Sequence, residues 1–332
     1  IPVFVALIFF KEELGVTPSI AGLLAMYSLT LEFDVRFMLS SNVAFEKTLV
    51  SLERCSSYCN LEPEKSNIID GSVNKSTGRW LTQGKVKVQD LQIRYREDLP
   101  FVLKSVNFEI KSGEKIGVVG RTGSGKSTLI SALLRVIEAS SGSIIIDDIN
   151  IASLDLKELR QNITLIPQEA TLFDGTMREN VDLLHRHSDQ EIWAVLESIG
   201  LKKTIEDRNG LDSKVEDGGD NFSAGEKQLI SIARGLLTKN KLVLVDEASS
   251  NIDMETEKFF LQSIKDKFHD CTVLMIAHRL NTIIDFEQIL VLKDGEVVEF
   301  GPTQELLSNE QSIFYNMVRE AEKTQNEISV LQ

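Results

Sequence analysis

The run Gly120-Arg-Thr122-Gly123-Ser124-Gly125-Lys126-Ser127, followed by Thr128, has the spacing G-x-x-x-x-G-K-[ST] of a phosphate-binding loop. A strand-like stretch, IGVV, precedes it and a helix-like stretch, TLISALL, follows. Glycines at these positions let backbone N–H groups converge on phosphate oxygens, and the start of a helix adds its positive dipole end. Lys126 is placed to reach the outer phosphates of a nucleotide, and Ser127 to offer its hydroxyl to Mg²⁺. A second run, Leu242-Val-Leu-Val-Asp246-Glu247, ends an apolar stretch on two acids. At the carboxyl end of a strand, Asp246 can hold magnesium through water, and Glu247 can orient or deprotonate an attacking water. Asp-Glu after apolar residues is common at ordinary strand ends. A phosphate loop on the same sheet is what gives the pair its meaning.

Elements able to position these groups are legible after Gly84. KVKVQDLQIRY alternates apolar and polar residues as a half-buried strand does, VNFEI is a second short strand, and KIGVVG is an apolar run ending in glycine. Helical patterns and buried strands then alternate: STLISALLRVI, ITLIPQ, EIWAVLESI, EKQLISIARGLL, KLVLVDE and TVLMIAH. That alternation predicts an α/β sheet with helices on its faces. ILVLKDGEVVEFG reads as a hairpin with an Asp294-Gly295 turn, followed by a final helix.

Composition narrows the function classes. The 332 residues are 42% hydrophobic and 26% charged, enough for a well-buried core. The formal net charge of -14 argues against nucleic acid as a partner, since that needs a basic face. It leaves room for an anionic ligand held locally by backbone N–H groups. Cys55, Cys59 and Cys271, and His185, His187, His269 and His278, form no zinc spacing, and the cysteines read as reduced cytosolic thiols.

Between the two phosphate-site runs lies Asp220-Asn-Phe222-Ser223-Ala-Gly225-Glu226-Lys-Gln, opening an amphipathic helix. FSAGE resembles the LSGGQ-type signature of ATP-binding cassette proteins, and the remaining motifs of that family stand around it in order. Tyr95 resembles the aromatic that stacks on adenine, and Gln168 in LIPQEATLFDGTMREN the Q-loop glutamine. Ser250-Asn-Ile-Asp253 resembles the D-loop, and His278 in IAHRL the switch histidine. Singly, Tyr95 reads as a packing aromatic, Gln168 as a surface amide after Pro167, and His278 as a core histidine. Their shared order over residues 80–320 reverses those readings.

The resemblance implies a P-loop NTPase fold: an ABC-type ATPase core with an antiparallel β subdomain and a helical subdomain, preceded by the end of an α-helical transmembrane domain. It implies ATP against Tyr95, with its phosphates in 120–128, and Mg²⁺ on Ser127 and Gln168 with Asp246 behind a water. It further implies Glu247 polarising the attacking water, His278 at the γ-phosphate, and catalysis shared by Glu247, His278, Lys126 and Gln168. Ser223 and Gly225 would contact nucleotide held by a second cassette. VEDGGDNFSAGEKQLISIARGLL, GTMRENVDL and residues 36–58 resemble more narrowly the second half of the C subfamily, the multidrug-resistance-associated transporters.

On that likeness residues 1–60 are the C-terminal part of a transmembrane domain and its cytosolic extension, 61–83 a linker, 84–320 the nucleotide-binding domain and 321–332 a tail. IPVFVALIFF, too short to cross a bilayer, reads as part of a longer polypeptide rather than as a signal peptide. Val16 to Phe33 has the length a bilayer asks of a helix, and its Thr and Ser residues suit one packed inside a bundle. Glu32 and Arg36 are spaced to pair. The implied partners are a second nucleotide-binding domain, transmembrane domains, membrane lipid and a transported small molecule such as an organic anion or conjugate. The protein would be integral to a membrane with the cassette in the cytosol.

Two other classes share the cassette: a nucleotide-gated channel or regulator, and a soluble ATPase of the DNA-repair or ribosome-binding kind. Against the second stand the acidic charge and the absence of a long coiled coil between Lys126 and Asp246. Phe222 and Glu226 depart from the family's usual leucine and glutamine, and Asn251 and Ile252 from its alanine and leucine. Glu226 suits a helix N-terminus, yet its charge would repel an adjacent polyphosphate.

Overall fold

The computed structural model describes residues 17–61, 64, 80–246, 254–277 and 280–330. The chain divides into two units, Ile1–Lys65 and Ser66–Gln332. The described part of the first is dominated by one 42-residue helix, α1 (Pro18–Cys59). Thr17 caps it by accepting from the Ile20 amide, with Pro18 in the first turn. The stretch expected at 16–33 and the residues 36–58 that carry the narrower resemblance are therefore one continuous helix, residue 16 lying outside the described residues. Arg36 pairs with Glu32 at 2.8 Å, as their spacing predicts. None of its residues is buried within the unit. Among the described residues, no helix is long and apolar enough to cross a membrane. Hydroxyl and charged residues dilute this one. Its hydroxyls turn inward, Ser28 Oγ donating to Ala25 O and Thr30 Oγ1 to Met26 O, both at 2.8 Å.

The second unit begins its described packing with buried Leu81, upstream of Gly84. In chain order come β1 (Val86–Ile93), β2 (Leu103–Ile110), β3 (Lys115–Val119), α2 (Lys126–Leu133), β4 (Ser141–Ile146), β5 (Ile149–Asn150), α3 (Leu156–Asn162) and β6 (Ile163–Ile166). β7 (Gly175–Thr176), α4 (Met177–Val181), α5 (Asp189–Ser198), α6 (Lys202–Glu206), β8 (Lys214–Val215) and α7 (Ala224–Thr238) follow. The chain then runs through β9 (Leu242–Asp246), α8 (Met254–Lys267), β10 (Thr272–Ile276), β11 (Gln288–Lys293), β12 (Glu296–Pro302), α9 (Thr303–Ser308) and α10 (Ile313–Val330).

A six-stranded sheet, ordered β12-β11-β3-β10-β9-β6, is the frame. β11, β3, β10, β9 and β6 run parallel, and only β12 is antiparallel, joined to β11 through the predicted hairpin. Asp294 and Gly295 take φ of 51° and 85°, the positive values such a two-residue turn needs. The parallel strands read as unbroken apolar runs because both faces are covered. Val243, Val245, Val273 and Met275 point into one core with α7, Phe260 and Phe268. The alternating Leu242, Leu244, Leu274 and Ile276 point into a second core with Leu129 and Leu133 of α2. The antiparallel sheet β2-β1-β4-β5 closes that second core. Phe108 and Phe300 meet at 6.1 Å between ring centroids, tying β2 to β12. Between β6 and α7 lie α4, α5, α6 and the small β7-β8 pair, a helical layer packed on α7.

Candidate nucleotide site

β3 is buried along most of its length and ends at Val119, and from Gly120 the chain turns through the loop into α2. Three glycines there have positive φ: Gly120 (154°), Gly123 (83°) and Gly125 (102°). Their tasks differ. A Cβ at Gly120 would lie 2.2 Å from Leu292 O, and one at Gly125 2.6 Å from Leu103 Cδ2, so both are fixed by close packing. A Cβ at Gly123 would meet nothing within 4 Å, so that side of the loop is open. Gly125 is the N-cap of α2 and offers no side-chain cap. A ligand oxygen can therefore take the first amides of the helix.

Lys126 folds back over the loop, its Nζ donating to Gly120 O at 2.8 Å and Arg121 O at 3.1 Å. Ser127 and Thr122 are exposed, whereas Thr128 and Ser124 are buried. The Ser124 hydroxyl points inward toward Gly120, and its amide donates to Arg121 O at 3.1 Å. Tyr95 stands in a bend just past the end of β1, rather than late in the strand as its sequence pattern suggests. Register shifts at Leu91 twist the end of that strand. Tyr95 is 56% exposed, and its hydroxyl lies 3.1 Å from Thr128 Oγ1, so it is held against the first turn of α2 while much of it faces solvent.

Strand register brings the other described groups to the same edge. Ile276 of β10 is level with Asp246 on one side and Val118 on the other, and Ile166 of β6 is level with Val245. Asp246 therefore ends β9 beside the loop's own row of strand ends, and Gln168 stands exposed just beyond the end of β6. Glu247, residues 250–253 and His278 lie outside the described residues.

Ser223 and Gly225 stand elsewhere, at the N-terminus of α7. Ser223 closes a capping box: its amide donates to Glu226 Oε2 at 2.7 Å, and the Glu226 amide donates to Ser223 Oγ at 3.2 Å. The departure at Glu226 thus preserves the cap, since a carboxylate accepts as an amide oxygen would.

Three groups escaped the sequence reading. Gln228, buried on α7, donates from Nε2 to the carbonyl of Gln168 at 2.7 Å, while its Oε1 is buried without a partner among the described residues. Gly225, Gln228, Leu229 and Ile232 share the buried stripe of the helix, so the polar interruption was visible in the periodicity. Arg234 donates to Thr171 O and Asn180 O, fastening the segment after Gln168 to the same helix. Burial pulls its guanidinium below the ordinary arginine value. Arg208 reaches the signature turn from beyond α6, which no local pattern announces.

A phosphate loop on a doubly covered parallel sheet, with acid and amide groups at neighbouring strand ends and an added antiparallel sheet, defines a P-loop ATPase domain of the ATP-binding cassette type. The family model for ABC transporters matches residues 103–250. The chain is 42% identical over 306 residues to ABC transporter C family member 13 of Oryza sativa subsp. japonica, covering 92% of this chain and 20% of that protein. It is 43% identical over 305 residues to the vacuolar heme ABC transmembrane exporter abc3 of Schizosaccharomyces pombe, covering 92% and 21%. With the metal resistance protein YCF1 of Saccharomyces cerevisiae it shares 40% over 316 residues, covering 95% and 21%. The structure of a bacterial Atm1-family ABC exporter with ATP bound superposes with a TM-score of 0.73 at 28% identity, over 83% of this chain and 48% of that one.

Residues 103–250 form an ABC transporter domain, and the similarity of the chain runs to the C family in particular. The chain spans about a fifth of the length of the curated relatives it matches. An ABC transporter domain binds ATP, and the open loop at Gly123 and the uncapped start of α2 suit its phosphates.

Proposed function

We propose that this chain is the ATP-hydrolysing cassette, with the adjoining end of the membrane domain, of an exporter of organic anions or conjugates. The observation that carries the reading is the strand register, which sets Lys126, Asp246 and Gln168 along one carboxyl edge of the sheet. In phosphoryl transfer, catalysis is mostly positioning and charge neutralisation, so groups on rigid strand ends are what the reaction needs. Tyr95 offers a ring face to adenine. The loop 120–128, through Gly120, Thr122, Gly123, Ser124, Gly125, Lys126, Ser127 and Thr128, receives the phosphates. Ser127, Gln168 and Asp246 are hard oxygen donors of the kind Mg²⁺ takes, and the ion would neutralise charge on the outer phosphates. Glu247 orients the attacking water and His278 meets the γ-phosphate, both following strands β9 and β10.

Ser223 and Gly225 serve nucleotide held by a second nucleotide-binding domain. Closure of the two cassettes then pulls on α1 and, through it, on transmembrane domains in the lipid. The hydroxyls of α1, satisfied within its own turns, suit a helix packed in such a bundle. The cassette faces the cytosol. Names of relatives include a heme exporter and a metal resistance protein, in keeping with a small-molecule cargo. The test is Glu247→Gln in the full transporter in vesicles. ATP should still bind, and turnover and uptake of a panel of organic anions should fall together by about 10²–10⁴-fold. Turnover above about a tenth of normal would remove Glu247 from the role.

A further inference from the structure

The two departures in the signature, Phe222 and Glu226, converge on one side chain. Arg208 lies with its guanidinium carbon 4.3 Å from the centre of the Phe222 ring. Its Nη2 stands 3.4 Å from Glu226 Oε1, and its Nη1 donates to the Asn221 carbonyl. Phe222 is buried beneath it, and the Glu226 side chain is 21% exposed. The other carboxylate oxygen, Oε2, accepts from the Ser223 amide. Arg208 therefore touches the residues on both sides of Ser223. It also supplies a cation to the one carboxylate within the FSAGE turn.

A generic cation cannot make both contacts at once. A planar guanidinium can stack on a ring and present its edge to a carboxylate at the same time, which an ammonium cannot. The phenyl ring supplies the face, and the carboxylate supplies both the charge partner and the cap.

We infer that Arg208 is a positioning residue for the signature turn. By neutralising Glu226 and clamping Phe222, it lets an acidic signature approach the triphosphate of a nucleotide held by a second cassette. FSAGE with Arg208 is then one coupled solution, not a decayed motif. The inference rests on the reading that Ser223 and Gly225 contact that nucleotide.

The test uses the full transporter, photolabelled on ice with azido-ATP and then cleaved between its halves, so that occupancy of each cassette is read without turnover. Arg208→Met keeps the aliphatic packing on Phe222 and removes the charge. It should raise the half-saturating nucleotide concentration of the partner cassette about tenfold, because an uncompensated carboxylate repels a polyphosphate. Adding Glu226→Gln, which removes the carboxylate charge but can still cap the helix, should bring that value back to within about twofold of the parent.

Arg208→Lys, which keeps the charge and loses the stack, should fall between. If Arg208→Met has no effect, or if Glu226→Gln fails to rescue it while both proteins melt as the parent does, the inference is overturned. Should Arg208→Met not fold, the Lys variant with and without Glu226→Gln decides by the same comparison. Ser223→Ala separates this from the underlying reading: if it leaves partner labelling untouched, the signature does not contact nucleotide at all. If it weakens labelling while the Arg208 variants do not, only the role of Arg208 falls.

Discussion

Gln228 on the signature helix donates its amide hydrogen to the backbone carbonyl of Gln168, 60 residues earlier, at 2.7 Å. The hydrogen bond joins the helix that opens with Ser223 to the loop that carries a proposed magnesium ligand. Its removal should be costly on two counts. Gln228→Leu keeps the volume but removes the donor to the part-buried Gln168 carbonyl, at about 0.5–1.5 kcal/mol for a hydrogen bond lost. Urea unfolding should show that loss, and ATPase turnover should drop further than the stability change explains. Unchanged turnover in a protein destabilised by the expected amount would reduce Gln228 to a packing residue.

Tyr95 is pinned to Thr128 through its hydroxyl but offers its ring to solvent. Base stacking needs the ring and not the hydroxyl. Tyr95→Phe should hold nucleotide affinity to within a few-fold, whereas Tyr95→Ala should lose the roughly 1–3 kcal/mol that stacking on an aromatic contributes. Equilibrium titration with ATP distinguishes them, and equal affinities for the two variants would take Tyr95 out of the site.

The three loop glycines should separate stability from binding. Gly120→Ala and Gly125→Ala drive a methyl into Leu292 O and Leu103 Cδ2, on top of a left-handed backbone that costs about 1–2 kcal/mol for an L-residue. Both should unfold at clearly lower temperature, Gly120→Ala the more so because its obstacle is backbone. Gly123→Ala meets only the backbone penalty and should melt closest to the parent, yet its methyl enters the open side of the loop and should weaken ATP binding. If Gly123→Ala binds ATP as the parent does, the phosphates do not pass that face.

The two halves of the proposed chemistry belong to different ATP sites. On the proposed reading Lys126 would act on nucleotide bound by this cassette, and Ser223 on nucleotide bound by a partner cassette. Lys126→Ala should therefore stop nearly all ATP turnover of the full transporter. Ser223→Ala should leave most of it if, as proposed, the altered signature serves a site that binds more than it hydrolyses. Steady-state ATPase rates of the two variants, side by side, are the measurement. Equal damage from both would mean that both sites turn over.

Much of this protein was written locally in the sequence. Gly120 to Ser127 specify their turn through the backbone freedom of glycine, and the following helix start is a matter of neighbouring residues alone. The parallel strands announced themselves because burial on both faces leaves no polar alternation to confuse, and the Asp294-Gly295 hairpin because few residue pairs accept two positive φ angles.

What tertiary structure decided was register and long-range contact. No spacing in the sequence states that Ile276 lies level with both Asp246 and Val118, which is what puts Asp246 at the edge that carries the loop. Nor does spacing reveal the Gln228 bridge to Gln168 or the Arg208 stack on Phe222. Those depend on where α6, α7 and β6 come to rest after packing. Packing is set by the summed burial of many apolar side chains, so it is not encoded in the few polar groups it brings together.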